Sequence, residues 1–114
     1  MNRRSIGNEY ELEAARRLEA SGYRILEHSY RTHTGEIDLI AEDGMYLVFI
    51  EVKYRATGAF GTSLEAVDTR KQNRIRRTAQ YYMASHGLDP DHTPVRFDVA
   101  GFDGGKFTLL KGAF

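Results

Sequence analysis

Apolar side chains near the start of the chain follow the 3.6-residue period of an α-helix. Tyr10, Ala14 and Leu18 share one face, and glutamate and arginine residues occupy the other. Ser21-Gly22 then supplies a stop signal. The pattern predicts a first helix from about residue 5 to residue 21.

Three apolar runs with strand-like patterning follow this helix. The first covers 23–30, and a turn is predicted after it at 32–35. The other two, 36–42 and 45–53, flank Asp43-Gly44, which is a strong signal for a two-residue hairpin loop. The sequence therefore predicts a β-hairpin in the middle of the chain.

A second long helix is predicted after the hairpin. Thr69 and Gln72 have the spacing of a capping box, in which two side chains satisfy free amides at a helix start. Ile75, Ala79 and Tyr82 continue with helical spacing. We expect this helix to end at a glycine, residue 87.

Two more strands and one loop complete the predicted fold. Apolar residues alternate over 95–99, and a glycine turn at 103–105 leads into a last strand at 106–110. The segment 56–62 is predicted to be a mobile loop that contacts a ligand. The element order α-β-β-β-α-β-β predicts an α/β fold, with helices flanking a mixed central sheet of about five strands.

The composition is that of a single folded domain covering residues 1–114, with 41% hydrophobic and 28% charged residues. The absence of cysteine excludes a disulfide framework and a thiolate metal site, and it fits a reducing compartment. The first residues lack the apolar segment of a signal peptide, and no later run is long enough to span a membrane. We therefore expect a cytoplasmic protein with no membrane partner.

The formal net charge is zero, but basic residues are concentrated in the second predicted helix. The segment 69–87 has no acidic residue, and its first half contains five basic residues: Arg70, Lys71, Arg74, Arg76 and Arg77. Helical spacing forms an outward stripe of Arg70, Arg74, Arg77 and Tyr81. Such a stripe is typical of a solvated face, but this density of positive charge favours a surface that contacts the phosphates of a nucleic acid.

Lys71 is predicted to point toward the sheet, because it lies four residues before Ile75 on the same side of the helix. Its aliphatic stem then covers the edge of the core, or its ammonium contacts a phosphate. Both roles fit the sequence.

Charged residues crowd one end of the predicted hairpin. With Asp43-Gly44 as the loop, the register sets Glu36 opposite Glu51 and sets Asp38 diagonal to Glu51, about 7 to 8 Å away. Because strand side chains alternate, these three carboxylates and Lys53 project from one face. The opposite face is predicted to be apolar core, formed by Ile37, Leu39, Val48, Ile50 and Val52.

Crowded carboxylates at the end of a buried hairpin are costly unless they are paired or bind a cation. A solvated strand end with a salt bridge from Lys53 is the simpler alternative. Because Asp38 stands in register with Glu51, we favour a metal site. Carboxylate oxygens suit Mg²⁺ or Mn²⁺, and a lysine beside them can orient a water or stabilise the transition state of phosphodiester hydrolysis.

Several ordered motifs resemble a known family. They are 35–40 (GEIDLI), 49–55 (FIEVKYR), 65–67 (EAV), Lys71 and 96–99 (RFDV). Together they resemble the YraN family of small bacterial proteins, over residues 7 to about 99. That family in turn resembles the PD-(D/E)XK nuclease superfamily, in particular archaeal Holliday-junction resolvases.

The resemblance implies a restriction-endonuclease-like fold and a Mg²⁺- or Mn²⁺-dependent endonuclease acting on branched or structured DNA, as a homodimer. It implies that Asp38 and Glu51 bind metal and that Lys53 is the catalytic lysine, and the register adds Glu36 as a third ligand. DNA is preferred to RNA as the partner. The predicted nucleic-acid contacts are Arg55, Arg70, Lys71, Arg74 and Arg77.

The resemblance also implies that Glu11 on the first helix reaches the metal or its water. Taken alone, Glu11 is typical of a solvated helix residue. The chain departs from the family motif at Tyr10, where members usually have glycine, and this ring is expected to crowd the helix against the site.

Four histidines add little to the predicted site. His28 and His33 have no spacing that pairs them as zinc ligands, and His86 and His92 are expected to be exposed. A different class of function also fits the chain: a binding module that keeps the nuclease fold and contacts nucleic acid or protein without cleaving. The complete set of Asp38, Glu51 and Lys53 favours the nuclease.

Overall fold

The computed structural model describes residues 3–55 and 67–114. Its elements are α1 (Arg3–Ala20), β1 (Arg24–Thr32), β2 (Gly35–Asp43), β3 (Tyr46–Arg55), α2 (Thr69–Ser85), β4 (Val95–Asp103) and β5 (Lys106–Leu110). The predicted element order is confirmed. The predicted loop 56–62 and the first two residues of the motif 65–67 lie outside the described residues.

The five strands form one sheet in the order β1-β2-β3-β4-β5. Neighbouring strands are antiparallel except β3 and β4, which are parallel. A parallel pair needs a crossover connection, and the segment that contains α2 provides it. The predicted mixed sheet is therefore confirmed. Neither helix in the described ranges is long and apolar enough to cross a membrane.

Strand alternation produces two apolar clusters. One joins α1, through Ala14 and Leu18, to residues of β2 and β3 such as Ile50. The other joins α2, through Ile75 and Tyr82, to residues that alternate with the first set. The central hairpin is thus buried on both sides in its middle, as its two-sided apolar pattern predicts.

The start of α2 differs from the predicted capping box. The N-cap is Asp68, one residue before Thr69, and its side chain accepts a hydrogen bond from the Lys71 amide at 2.8 Å. The Gln72 side chain donates to the carbonyl of Val67 at 3.1 Å. Aspartate is at least as good an N-cap as threonine, so the cap forms one residue earlier than predicted.

The predicted hairpin register is wrong by two residues. Asp43 pairs with Tyr46, which makes Gly44-Met45 the loop. Gly44 has φ +58°, and a glycine with positive φ at the first loop position suits a type II′ turn. Asp43 stays in the strand because Arg96 donates a hydrogen bond to its carboxylate at 2.8 Å. Since a shift of two keeps every side chain on its face, the predicted clustering of charges survives the error.

Ile37 does not lie where strict alternation places it. Instead of joining Leu39 on the α1 side, it belongs to the cluster under α2, as does its cross-strand partner Tyr30. The adjacent β1 residue Ser29 has φ +51°, which interrupts the regular strand beside Asp38. The face assignment changes at this irregularity.

The turn between β1 and β2 approaches α2 closely at Gly35. A Cβ there would lie 3.3 Å from Thr78 Oγ1 and 3.9 Å from Arg74 Cβ, and the backbone has φ +151°. Both the conformation and the space therefore favour glycine. This contact brings the start of β2 under the basic flank of α2.

Candidate active site

The candidate site lies where β2 and β3 separate. Strand pairing runs to Leu39 opposite Ile50, and one step beyond it the Asp38 carboxylate accepts a hydrogen bond from the Val52 amide at 2.8 Å. A side chain thus takes the place of a strand partner. We call this point the fork.

Two carboxyl groups meet at the fork. The corrected register, continued one step beyond Leu39 and Ile50, sets Asp38 opposite Glu51 rather than diagonal to it. Burial is the largest cause that raises the pKa of Asp38 far above its ordinary range, and Glu51 raises it further. Only 6% of the Glu51 side chain is exposed. Burial and the neighbouring Glu51 both favour the protonated form of Asp38.

Two lysines stand beside this carboxyl pair. Lys71 Nζ lies 3.4 Å from Glu51 Oε2, so the Lys71 side chain points from the start of α2 toward the sheet. Burial, followed by the hydrogen bond with Lys71, lowers the pKa of Lys53. Burial acts in the same direction on Lys71, but Glu51 and Lys53 outweigh it and raise the pKa of Lys71. Lys71 thus carries the positive charge that balances Glu51.

The carboxyl pair opens into a cavity of about 250 Å³. Its walls are Gly35, Glu36, Asp38, Glu51, Lys71, Arg74 and Ile75. Glu36 lies at the exposed rim, and its carboxylate accepts a hydrogen bond from Arg31 at 3.2 Å. To bind a metal with the other two carboxylates, Glu36 would have to leave Arg31.

Glu11 lies in a neighbouring recess that Asn8, Leu12, His28 and Ser29 also line. Its carboxylate accepts a hydrogen bond from Ser29 Oγ at 2.9 Å. Burial raises the pKa of Glu11, and the negative charges of Glu36 and Glu51 raise it further. Glu11 is therefore coupled electrostatically to the acidic residues of the site.

The tyrosine at position 10 does not crowd this recess. Its ring stacks on Tyr54 with centroids 4.3 Å apart, and it packs against Phe102 at 5.0 Å. These contacts direct Tyr10 toward the C-terminal end of β3 and toward β4, away from Ser29 and the recess of Glu11. The departure from the family motif is therefore compatible with a role for Glu11.

The basic residues of α2 divide into two groups. Arg70, Arg74 and Arg77 are exposed, and Arg74 lines the cavity. Arg76 instead packs its guanidinium over the rings of Phe97 and Phe114, at 4.9 and 5.3 Å from the centroids. Arg55 ends β3 opposite Asp103. The cluster seen in the sequence thus contributes one continuous stripe and one structural arginine.

The donor set suits a magnesium-type ion better than a closed metal cage. No group of three histidine or acidic side chains within 3–55 and 67–114 is arranged to hold a metal. Mg²⁺ is commonly held by only one or two carboxylates and fills its other positions with water and substrate phosphate. The adjacent carboxyl groups of Asp38 and Glu51 fit that requirement, because metal ligands bind in their deprotonated form and both groups line the cavity.

Sequence reasoning missed two parts of this site. It did not single out Ser29, and no periodic signal marks a serine that bonds a helix glutamate. It gave Lys71 a phosphate or core role, whereas the structure pairs Lys71 with the buried Glu51. The spacing between Lys71 and Ile75 predicts the direction of the Lys71 side chain, but it does not identify Glu51 as the partner.

The chain belongs to the uncharacterised protein family UPF0102, whose model matches residues 10–102. This confirms the resemblance to the YraN family. A UPF0102 protein of Lachnoclostridium phytofermentans is 45% identical over 114 residues, which cover 100% of this chain and 96% of the relative.

Two other bacterial relatives are similar over most of their length. A UPF0102 protein of Moorella thermoacetica is 50% identical over 99 residues, covering 87% of this chain and 81% of the relative. A UPF0102 protein of Enterobacter sp. (strain 638) is 39% identical over 114 residues, covering 100% of this chain and 87% of the relative. These names define a family and assign no activity.

Proposed function

We propose that this protein is a metal-dependent endonuclease that hydrolyses phosphodiester bonds in branched or otherwise structured DNA, with Mg²⁺ or Mn²⁺ as cofactor. The observation that carries the proposal is the pair of carboxyl groups at the fork, Asp38 and the buried Glu51, with Lys53 and Lys71 beside them. A purely structural ion pair needs one acid and one base. Here two acids line the wall of an accessible cavity, and burial and Glu51 together raise the pKa of Asp38.

Each member of the site has a chemical role in this proposal. Asp38 and Glu51 would hold the cation, which supplies Lewis-acid stabilisation of the phosphoryl oxygens and a more acidic water. Lys53 lies beside them with a lowered pKa, so its amine is suited to orient the attacking water or take its proton. Lys71 is placed to move from Glu51 to a substrate phosphate once a cation replaces its charge.

A cleavage assay tests the proposal. The substrates are duplex, single-stranded and four-way-junction DNA, and RNA, each with Mg²⁺, Mn²⁺ or EDTA. We expect metal-dependent cleavage of the junction and none by Asp38→Asn or Glu51→Gln. Asp91→Asn, which changes an exposed aspartate in the turn before β4, is the matched control. Metal-independent cleavage, or equal cleavage by Asp38→Asn, would overturn the assignment.

Lys53→Ala separates the lysine from the metal ligands. We expect this variant to lose cleavage while its Mn²⁺ affinity stays near that of the wild type, because the lysine acts on water and phosphate. Isothermal titration with Mn²⁺ measures the second quantity. Wild-type cleavage rates in Lys53→Ala would refute its role.

The exposed arginines of α2 are proposed to contact phosphates. Neutralising Arg70, Arg74 and Arg77 together should weaken DNA binding and reduce the salt slope by up to about 0.9 per lost contact on duplex DNA. Arg76→Gln is the informative control, because that arginine packs on two aromatic rings. An unchanged slope in a salt titration would remove the stripe from the interface.

One observation supports a second candidate, a binding module that does not cleave. The ion pair between Lys71 and Glu51 already neutralises one carboxylate, so the fork is stable without metal if Asp38 keeps its proton. This candidate predicts DNA binding with no product under any metal condition.

The resemblance to resolvases also leads us to propose a homodimer, since cutting a branched junction requires two paired incisions. Analytical ultracentrifugation with and without junction DNA tests this. The absence of cysteine fits a reducing compartment, and on that ground we propose the cytoplasm as the location.

A further inference from the structure

A second depression lies beside the active-site cavity on the same flank of α2. It has a volume of about 410 Å³ and is lined by Thr34, Arg77, Gln80, Tyr81 and Ala84. Thr34 is adjacent to Gly35, and Arg77 lies about one helical turn beyond Arg74. Since Gly35 and Arg74 line the active-site cavity, the two depressions adjoin. We call the second one the groove.

Tyr81 forms an exposed aromatic wall of the groove. Its side chain is 45% exposed, whereas the next residue, Tyr82, is 5% exposed and belongs to the core. The Tyr81 hydroxyl lies 3.0 Å from His33 Nε2, and the two rings meet edge to face with centroids 4.9 Å apart. The ring is thus held in one orientation while much of its surface remains open to solvent.

The groove and the cavity share a rigid border. Thr34 Oγ1 lies 3.0 Å from Thr78 Oγ1, and Thr78 Oγ1 donates to the carbonyl of Arg74 at 2.9 Å. These contacts fasten the turn between β1 and β2 to α2. A ligand that entered the cavity would therefore meet Tyr81 at a fixed position. Along the helix, ten residues separate Lys71 from Tyr81, which is about 15 Å.

We infer that the groove is a stacking subsite for an unpaired nucleobase of the bound strand, with the Tyr81 ring as the platform and Arg77 beside it for the adjoining phosphate. Aromatic side chains hold single-stranded nucleic acid in this way, because every base has a flat π-face. Bases inside a duplex already cover both faces with their neighbours. About 15 Å corresponds to about four nucleotide steps at the 3.4 Å rise of one B-form strand, and to fewer steps in an extended strand.

This inference rests on the proposed nucleic-acid function and narrows its substrate to strands that present unpaired bases close to the phosphate at the fork. A flap, an open junction arm or a single strand meets this requirement, and a continuous duplex does not. The positive charges of Arg74 and Arg77 lie between the fork and Tyr81, where they complement the backbone of such a strand.

The test measures binding in EDTA, where cleavage does not interfere. Fluorescence anisotropy compares a labelled oligo-dT strand, an oligo-U strand and a blunt duplex hairpin. Tyr81→Ala should weaken oligo-dT binding by about 5- to 100-fold, as expected for the loss of one stacked base. The same variant should weaken binding to the hairpin much less. Tyr81→Phe keeps the ring, loses the bond to His33 and should remain within about threefold of the wild type for oligo-dT.

Tyr46→Ala is the matched control, because Tyr46 is 39% exposed and lies at the opposite end of β3. We expect it to leave oligo-dT affinity unchanged. If Tyr81→Ala matches Tyr46→Ala while the wild type binds DNA, the stacking subsite is wrong and the proposed function stands. If the wild type binds four-way-junction DNA but none of the three probes, the stacking subsite is wrong and the proposed function stands. If it binds none of these nucleic acids, both fail.

A second readout separates stacking from fold stability. The fluorescence of 2-aminopurine within the oligo-dT strand is quenched when the base stacks, so the wild type and Tyr81→Phe should quench it and Tyr81→Ala should not. Stronger effects with oligo-U than with oligo-dT would assign the subsite to RNA and contradict the DNA preference. A lower melting temperature of Tyr81→Ala with unchanged quenching would show that Tyr81 only fastens the turn and would overturn the inference.

Discussion

Two aspartates of the central sheet, the buried Asp98 on β4 and the half-buried Asp38 on β2, show opposite solutions to the same problem. Asp98 is 0% exposed and accepts four hydrogen bonds, from the Tyr23 hydroxyl, twice from Arg96 and from the Gly112 amide. Asp38 accepts one hydrogen bond, from the Val52 amide, and the neighbouring carboxyl group of Glu51 raises its pKa. The first is fully paired, and the second is not.

The difference shows which carboxylate contributes to stability and which is available for function. Arg96 also bonds Asp43, lowering the pKa of that carboxyl and linking the hairpin loop to β4. No buried polar side-chain atom within 3–55 and 67–114 lacks a hydrogen-bond partner. At the fork, Glu51 pairs with Lys71, whereas Asp38 accepts a hydrogen bond from the Val52 amide and has a raised pKa. Such perturbed groups concentrate at functional sites.

The largest expected effect comes from opening the Asp98 network. Asp98→Ala would leave Arg96, which is 16% exposed, as a poorly compensated buried charge. We expect the free energy of unfolding to fall by about 3 to 5 kcal/mol, measured by urea denaturation. Tyr23→Phe removes one donor and should cost only about 1 kcal/mol. A loss below 1 kcal/mol for Asp98→Ala would contradict the role given to this network.

Asp38→Asn should have the opposite effect in the absence of metal. Asparagine imitates the protonated carboxyl, so the metal-free variant should melt at or above the temperature of the wild type. Saturating Mn²⁺ at about one hundred times Kd should stabilise the wild type by about 2.7 kcal/mol and the variant by much less. Thermal melts with and without millimolar Mn²⁺ measure both effects. Equal responses would disprove the metal site.

The pH dependence of stability should also differ between the two aspartates. The pKa of Asp38 is raised from 3.8, so above about pH 4 the folded state keeps a proton that the unfolded state has lost. Its contribution to stability therefore falls as pH rises, by up to about 1.4 kcal/mol per pH unit for one proton, until the folded pKa is passed. Urea denaturation at a series of pH values in EDTA should show that the free energy of unfolding falls less steeply with pH in Asp38→Asn than in the wild type.

Asp43 provides the opposite sign. Its pKa is lowered, chiefly by the hydrogen bond from Arg96, so its contribution is present above pH 3.8 and disappears as the solution is acidified through the folded pKa. Asp43→Asn should reduce acid sensitivity without changing the slope near neutral pH. If Asp38→Asn and Asp43→Asn change the stability over the same pH range, the contrast between the two networks is wrong.

The smallest effect is expected at Ser29, which connects α1 to the fork. Ser29→Ala removes the hydrogen bond to Glu11 and should destabilise the protein by about 1 kcal/mol. Losing that bond should also raise the pKa of Glu11 further. If Glu11 assists cleavage, the acidic limb of the pH–rate profile should shift to higher pH. An unchanged profile would leave Ser29 with a structural role alone.

Much of the fold was accessible from sequence because local signals agreed with the final packing. The pattern of Leu39, Ile40 and Phe49 encodes a strand pair that is buried on both faces, and the observed sheet confirms it. The two-residue register error arose because Asp43-Gly44 is the stronger isolated turn signal. Arg96, fifty-three positions away, holds Asp43 in the strand instead, and no local pattern carries that information.

The candidate site was predictable in its members but not in its connections. Alternation placed Asp38, Glu51 and Lys53 together even in the wrong register, since the shift was even. The ion pair of Lys71 depends on how α2 crosses the sheet. The conformation of Ser29 is a backbone irregularity with no residue signature. Tertiary packing decided these features.

The Val52 amide makes the state of the fork observable by NMR spectroscopy. The Val52 amide donates to the side-chain carboxyl of Asp38 rather than to a main-chain carbonyl of β2. A proton or cation at that carboxyl must therefore change the electronic environment of this one backbone amide. In a ¹⁵N-labelled sample, the Val52 cross-peak would therefore move with pH and with added Mg²⁺, and its hydrogen-exchange rate would follow the ionisation of Asp38. The sheet contains its own probe of the site.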